Sequence, residues 1–116
     1  MKESKFTKEV CSKMKNCGAT IVPYVGNYRQ QNGVPDRYVC HQLWQGWLEF
    51  KTTKGRLSTA QKIFIQRMNL SRKGVAFVVR EPNIIENEKG DTLSHFANGF
   101  DLLLKLYHIT ENLRCR

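Results

Sequence analysis

No apolar run in this chain approaches the eighteen or so residues that a membrane-spanning helix needs. The longest, such as Leu102–Leu104, extend over only a few positions. The opening Met1-Lys2-Glu3-Ser4-Lys5 is charged but is followed by no apolar stretch, so it does not read as a signal peptide. Cysteine is sparse and poorly spaced: positions 11, 17, 40 and 115 form no C-x-x-C pair. A disulfide-built fold is therefore excluded, and reduced thiols in a cytoplasmic protein are the expectation. The three histidines, His41, His95 and His108, do not fall at zinc-finger spacings. Negative charge is also scarce. Ten Asp and Glu face nineteen Lys and Arg, for a net charge of +9. The excess is not a tail, since residues 1–56 carry ten basic and four acidic groups and residues 57–116 carry nine and six. Such a chain attracts polyanions, nucleic acid or an anionic membrane surface.

The 116 residues suffice for one domain, and 41% hydrophobic residues suffice for a core. Residues 3–17 read as an amphipathic helix, with Glu3, Phe6, Val10, Met14 and Cys17 on one side. Lys2, Lys5, Lys8, Lys13 and Lys15 fall on the other side, read as a solvated face. Ala19–Val25 is a β-branched run, and Pro23 marks it as an edge strand or a bulge. Gly26–Gly33 is a polar loop. Two strands follow at about 37–41 and 46–52, then the basic turn Lys54-Gly55-Arg56.

Ser58 caps a helix over 59–72, Gly74 ends it, and Val75–Val79 is a buried strand. Residues 83–96 read as a hairpin around Glu88-Lys89-Gly90-Asp91. A short closing helix at 99–107 then turns Phe100, Leu103, Leu104 and Tyr107 inward, with a mobile end from Thr110. Trp44 and Trp47 are expected to pack under a hairpin or in an interface. The order α-β-β-β-α-β plus a C-terminal hairpin and helix is that of an α/β sandwich.

One stretch sets its acidic groups apart. Twelve residues separate Asp36, in Gly33-Val34-Pro35-Asp36, from Glu49-Phe50-Lys51. On a strand, Glu49 and Lys51 share a face while Leu48 and Phe50 take the other. A hairpin would bring Asp36 beside Glu49. Two converging carboxylates repel unless a cation lies between them, and hard oxygen donors suit Mg²⁺ or Mn²⁺. A lysine beside that ion can hold a phosphate or the attacking water, which is what phosphodiester hydrolysis needs. Ser58-x-x-Gln61 is a capping box, and that alone accounts for Gln61.

Pro35-Asp36 with Glu49-Phe50-Lys51 resembles the PD-(D/E)xK nuclease superfamily. The longer string, with Leu48-Glu49-Phe50-Lys51-Thr52, Gly55-Arg56-Leu57-Ser58 and Gln61, is similar to its VRR-NUC branch, related to Holliday junction resolvases. The resemblance covers residues 3–80 of one nuclease domain, with 81–116 as an extension serving dimerisation or the core. It implies a restriction-endonuclease-like fold, a mixed central sheet flanked by helices. Asp36, Glu49 and the Phe50 carbonyl would hold Mg²⁺ or Mn²⁺, and Lys51 would orient or deprotonate the nucleophilic water. Gln61 would join the active site. A glutamate on the first helix is also implied, and Glu3 shares the arc of Phe6, Val10 and Met14 while Glu9 does not. Arg29 on the loop and Lys54 and Arg56 in the basic turn are the candidates for DNA phosphates.

The expected function is a metal-dependent DNA endonuclease, and the resemblance implies 5′-phosphate and 3′-hydroxyl ends. Little mass remains for reading bases, which favours structured DNA such as a junction or flap over a sequence. A two-fold symmetric substrate favours a homodimer, and small stand-alone nucleases of this kind suggest a phage or mobile-element origin. A sequence-specific restriction-type enzyme and a non-catalytic nucleic-acid-binding module remain the alternatives. A cleavage assay on defined duplexes separates the three.

Overall fold

Apolar side chains on both faces of the central strand segments around 45–51 and 76–80 feed two cores, one on each face of the sheet. In the computed structural model, which describes residues 4–24, 33–71 and 75–115, helix α1 (Lys5–Asn16) leads into β1 (Thr20–Pro23), β2 (Arg37–Cys40) and β3 (Gln45–Lys51). Helix α2 (Thr59–Ser71), strands β4 (Ala76–Arg80), β5 (Ile84–Glu86) and β6 (Thr92–His95), and helix α3 (Gly99–Arg114) complete the chain. The six strands form one sheet in sequence order, β1 to β6. Only β3 and β4 are parallel, joined by the α2 crossover. Mixed α/β architecture follows, as the sequence predicts. Pro23 ends β1, an edge strand, where its missing N–H costs nothing.

Two apolar layers hold the helices. On one face, Val39, Leu48, Phe50, Phe77, Val79 and Ile85 meet Phe6, Val10 and Met14 of α1 and Leu102, Leu103 and Leu106 of α3. On the other, Ala76 and Val78 meet Ile65 of α2, with Trp47, Leu57 and Met68 at the margin. Trp47 packs edge-on against Tyr24, Tyr38 and Phe64, with ring centroids 5.0–6.1 Å away.

The described part of the first helix begins at Lys5. Ser4 is its N-cap, accepting from the Thr7 N–H at 3.1 Å. The C-terminal helix departs from expectation. It spans Gly99–Arg114, and its buried residues are Gly99, Leu102, Leu103, Leu106 and Thr110. Phe100 and Tyr107 are exposed and Leu104 only half-buried, so three of the four residues read as inward are not in the core. Gly99 sets this phase. A Cβ there would meet the Lys13 carbonyl oxygen at 2.5 Å, so α3 crosses α1 at the glycine. A helix face chosen from large apolar residues alone misses that crossing. The end is not loose either: buried Thr110 accepts the Trp44 indole N–H at 2.8 Å. Residues 81–115 thus add two strands to the sheet, and Ile85, Phe96, Leu102, Leu103 and Leu106 to the main core.

Candidate active site

Gly33-Val34-Pro35-Asp36 lies against the first turn of α2. Gly33 has φ +88°, and a Cβ on it would come within 2.4 Å of the Ala60 carbonyl oxygen. Only glycine meets both demands, so the chain can enter β2 close beside α2. Three hydrogen bonds then fix the Asp36 backbone. Its N–H donates to Glu49 Oε1 at 3.1 Å. Its carbonyl accepts from the Tyr24 N–H and from Arg37 Nη1, both at 2.9 Å.

Glu49 projects from the middle of β3 on the α2 face and is only 5% exposed. Lys51, two residues on, shares that face, its Nζ 3.5 Å from Glu49 Oε2. Leu48 and Phe50 point into the opposite core, as alternation predicts. Burial raises the pKa of Glu49, opposed by Lys51, the Asp36 N–H and the Gln61 side chain. Burial and then the Glu49 charge push Asp36 up to about 7, although Arg37, the Phe50 N–H and Lys51 pull it down.

Asp36 Oδ1 is buried and has no hydrogen-bond partner. A buried carboxylate oxygen without a hydrogen bond, 4.0 Å from the Arg37 guanidinium and beside a second carboxylate, is one that a bound cation would satisfy. The backbone offers a further donor. The Trp47 N–H and the Lys51 carbonyl bond toward β4, to Val75 O and Glu81 N, so the carbonyl of Phe50 between them points toward β2. The β2–β3 ladder has already ended there, at Arg37↔Leu48, on the side where Asp36 lies. Two carboxylates and one carbonyl form an all-oxygen set that fits Mg²⁺ or Mn²⁺. Among the described residues no three His, Cys, Asp or Glu side chains converge. Glu3 lies outside the described residues, and so does Arg29.

Gln61 serves two partners. Its Oε1 accepts the Ser58 N–H at 2.8 Å while its own N–H donates to Ser58 Oγ at 3.1 Å, closing the capping box. The remaining side-chain amide group favours ionised Glu49. Helix capping and contact with the site are therefore both present.

The turn that carries Lys54 and Arg56 is exposed but anchored. Arg80, paired with Lys51 across the β3–β4 ladder, donates from Nη1 to the carbonyls of Thr52 (2.8 Å) and Gly55. Its Nε donates to buried Glu86 at 2.9 Å. Sequence reading missed Arg80 and Glu86. The signal was an arginine ending an otherwise apolar strand, which burial would forbid without a partner. The structure thus gathers Asp36, Glu49, Lys51, Gln61 and the Phe50 carbonyl around one point, with Lys54 and Arg56 on the adjoining turn. No protein-family model matches the chain, and no curated protein matches it.

Proposed function

We propose that this protein is a metal-dependent DNA endonuclease with a restriction-endonuclease-like core of the VRR-NUC type, acting on structured DNA. The observation that carries the reading is the buried Asp36 Oδ1, which makes no hydrogen bond, beside buried Glu49, with Lys51 on the Glu49 face. A strand buried on both faces has no structural use for two neighbouring carboxylates whose pKa values burial raises; such arrangements belong to functional sites.

The chemistry that Mg²⁺ or Mn²⁺ would supply, held by Asp36, Glu49 and the Phe50 carbonyl, is Lewis-acid polarisation of the scissile phosphodiester and of a water. The chain's own groups do the rest. Asp36, its backbone tied at both N–H and carbonyl, aims its carboxylate without reorganisation. Lys51, its side chain 19% exposed and steadied by Glu49, orients the attacking water and balances charge growing on the phosphoryl oxygens. Lys51, the Asp36 N–H and Gln61 together favour the ionised form of Glu49 against its burial. Lys54 and Arg56 take flanking phosphates from a turn that Arg80 keeps in place. Net charge of +9 draws the polyanion in.

The test offers four-way junction, flap, linear duplex and single-stranded DNA in Mg²⁺, Mn²⁺ or EDTA, to wild type and to Lys51→Ala. Cleavage that needs metal, prefers a branched substrate and disappears in the variant is expected. No cleavage in either metal would overturn the enzyme, and undiminished cleavage by Lys51→Ala would overturn the site.

A further inference from the structure

Beside the C-terminal half of α2, the sheet face that carries Glu49 bounds a hollow of about 350 Å³. Tyr38 of β2 and Trp47 of β3 line it, opposite one another across the ladder with ring centroids 5.0 Å apart. Met68 and Val75 add apolar wall, and exposed Gln45 adds an amide. Both rings are half-buried. Among the described residues the Trp47 indole N–H, the Tyr38 hydroxyl and the Gln45 side-chain amide make no hydrogen bond. Neither ring's polar atom is sealed from solvent. Trp44 differs on both counts, being buried with its indole N–H spent on Thr110.

Aromatic walls with open hydrogen-bonding groups at their edges suit a flat heteroaromatic ring that carries donors and acceptors of its own. The volume lies near the small end of ligand clefts, which begin at about 300 Å³. The charged residue on the rim, Arg114, is ion-paired with Glu111 at 3.3 Å. The chemistry of the hollow is therefore that of a base rather than of a phosphate. Its place along the strand adds a second argument. Trp47 precedes Glu49 by two residues on one strand face, roughly 7 Å along β3. Stacked nucleotides rise about 3.4 Å each. A strand whose phosphodiester meets Asp36 and Glu49 thus has a nucleotide one or two steps away level with the hollow.

We propose that this hollow is a subsite for one unpaired base of the strand being cut, close beside the scissile phosphodiester. A base within a duplex must first be unstacked and unpaired to enter, whereas one at a flap or branch is already free. The assignment rests on the reading that Asp36 and Glu49 cut DNA, and it names what would make structured DNA the better substrate.

The test measures binding, in EDTA, of an oligothymidylate and of an abasic strand equal in length and charge. The proteins are wild type, Tyr38→Leu and, as control, Phe100→Leu at an exposed position on α3. Wild type should bind the base-bearing strand at least about fivefold more tightly, the size of one base–aromatic contact. Tyr38→Leu should lose that preference while its affinity for the abasic strand and its salt slope stay unchanged, since no phosphate contact is touched. Phe100→Leu should match wild type. Tryptophan emission should be quenched by the base-bearing strand alone, through Trp47, because Trp44 is enclosed in the opposite core.

Equal wild-type affinity for the two strands, with metal-dependent cleavage intact, would overturn the subsite and leave the nuclease standing. That outcome needs no variant to fold. A full preference retained by Tyr38→Leu would overturn the subsite as well. Wild type that binds neither strand and cuts no DNA in Mg²⁺ or Mn²⁺ would overturn both readings.

Discussion

The Asp36 backbone N–H donates to the Glu49 carboxylate at 3.1 Å. One acidic residue thus holds the other by its main chain, and burial together with the neighbouring Glu49 charge disfavours ionisation of the Asp36 side chain. The cost falls on Asp36, whose pKa reaches about 7 against 3.8 in an unfolded chain. Glu49 shifts in the same direction.

The first prediction is a pH dependence of stability. Between pH 3.8 and 7 the folded protein binds a proton at Asp36 that the unfolded chain releases. Metal-free stability should therefore rise as pH falls through 7, and the gain should be complete below about 4. Asp36→Asn should flatten this dependence, raise Tm above pH 7 and abolish cleavage. Mg²⁺ should raise the wild-type Tm most at alkaline pH, where both carboxylates are ionised. Thermal melts across pH, with Mg²⁺ or EDTA, measure all of this. A wild-type Tm that falls steadily on acidification from pH 8 would contradict it.

Gln61 can be separated into its two roles. Gln61→Glu keeps a capping box, since glutamate also accepts the Ser58 N–H, so Tm should change by less than about 1 kcal/mol equivalent. It also replaces the amide that favours ionised Glu49 with a third carboxylate. Cleavage should fall at least about tenfold, a loss of roughly 1.4 kcal/mol in transition-state stabilisation. Full activity in this variant would confine Gln61 to capping.

Arg80→Met removes the partner of buried Glu86 and should cost about 3–5 kcal/mol in denaturant unfolding. Adding Glu86→Leu should recover much of that stability. It should not recover DNA affinity, because the carbonyls of Thr52 and Gly55 remain unheld and the Lys54–Arg56 turn is released. Affinity returning together with stability would show that the turn needs no anchor.

Thr110→Val leaves the buried Trp44 N–H without an acceptor and should destabilise by about 1–3 kcal/mol. Gly33→Ala combines strained backbone with overlap on Ala60, and should cost at least about 2 kcal/mol. The effect on cleavage separates them: Thr110→Val should cut normally at low temperature, whereas Gly33→Ala should not, because it displaces Asp36.

Strand alternation made the core of the candidate site legible in the sequence. Leu48 and Phe50 had to face one way, so Glu49 and Lys51 faced the other, and the turn between β2 and β3 fixed where Asp36 arrived. Ser58 and Gln61 were legible because a capping box is local. The distant relationships were not. Arg80 reaches the Thr52–Gly55 turn across 25 and 28 residues of sequence. Gly99 sets the phase of α3 through the backbone of Lys13, and neither pairing leaves a periodic signal. The lysines of the first helix were legible too: Lys8, Lys13 and Lys15 lie exposed, as the amphipathic spacing predicts.

Because the strands lie side by side in the order they occur along the chain, each ladder closes between neighbouring segments. Loop closure is cheap for the antiparallel neighbours, whereas the parallel β3–β4 pair must wait for the α2 crossover. The bond from Trp44 to Thr110 is different, spanning 66 residues. It can form only once α3 has crossed α1, so quenching or blue-shift of the Trp44 emission would time the completion of the fold rather than its beginning.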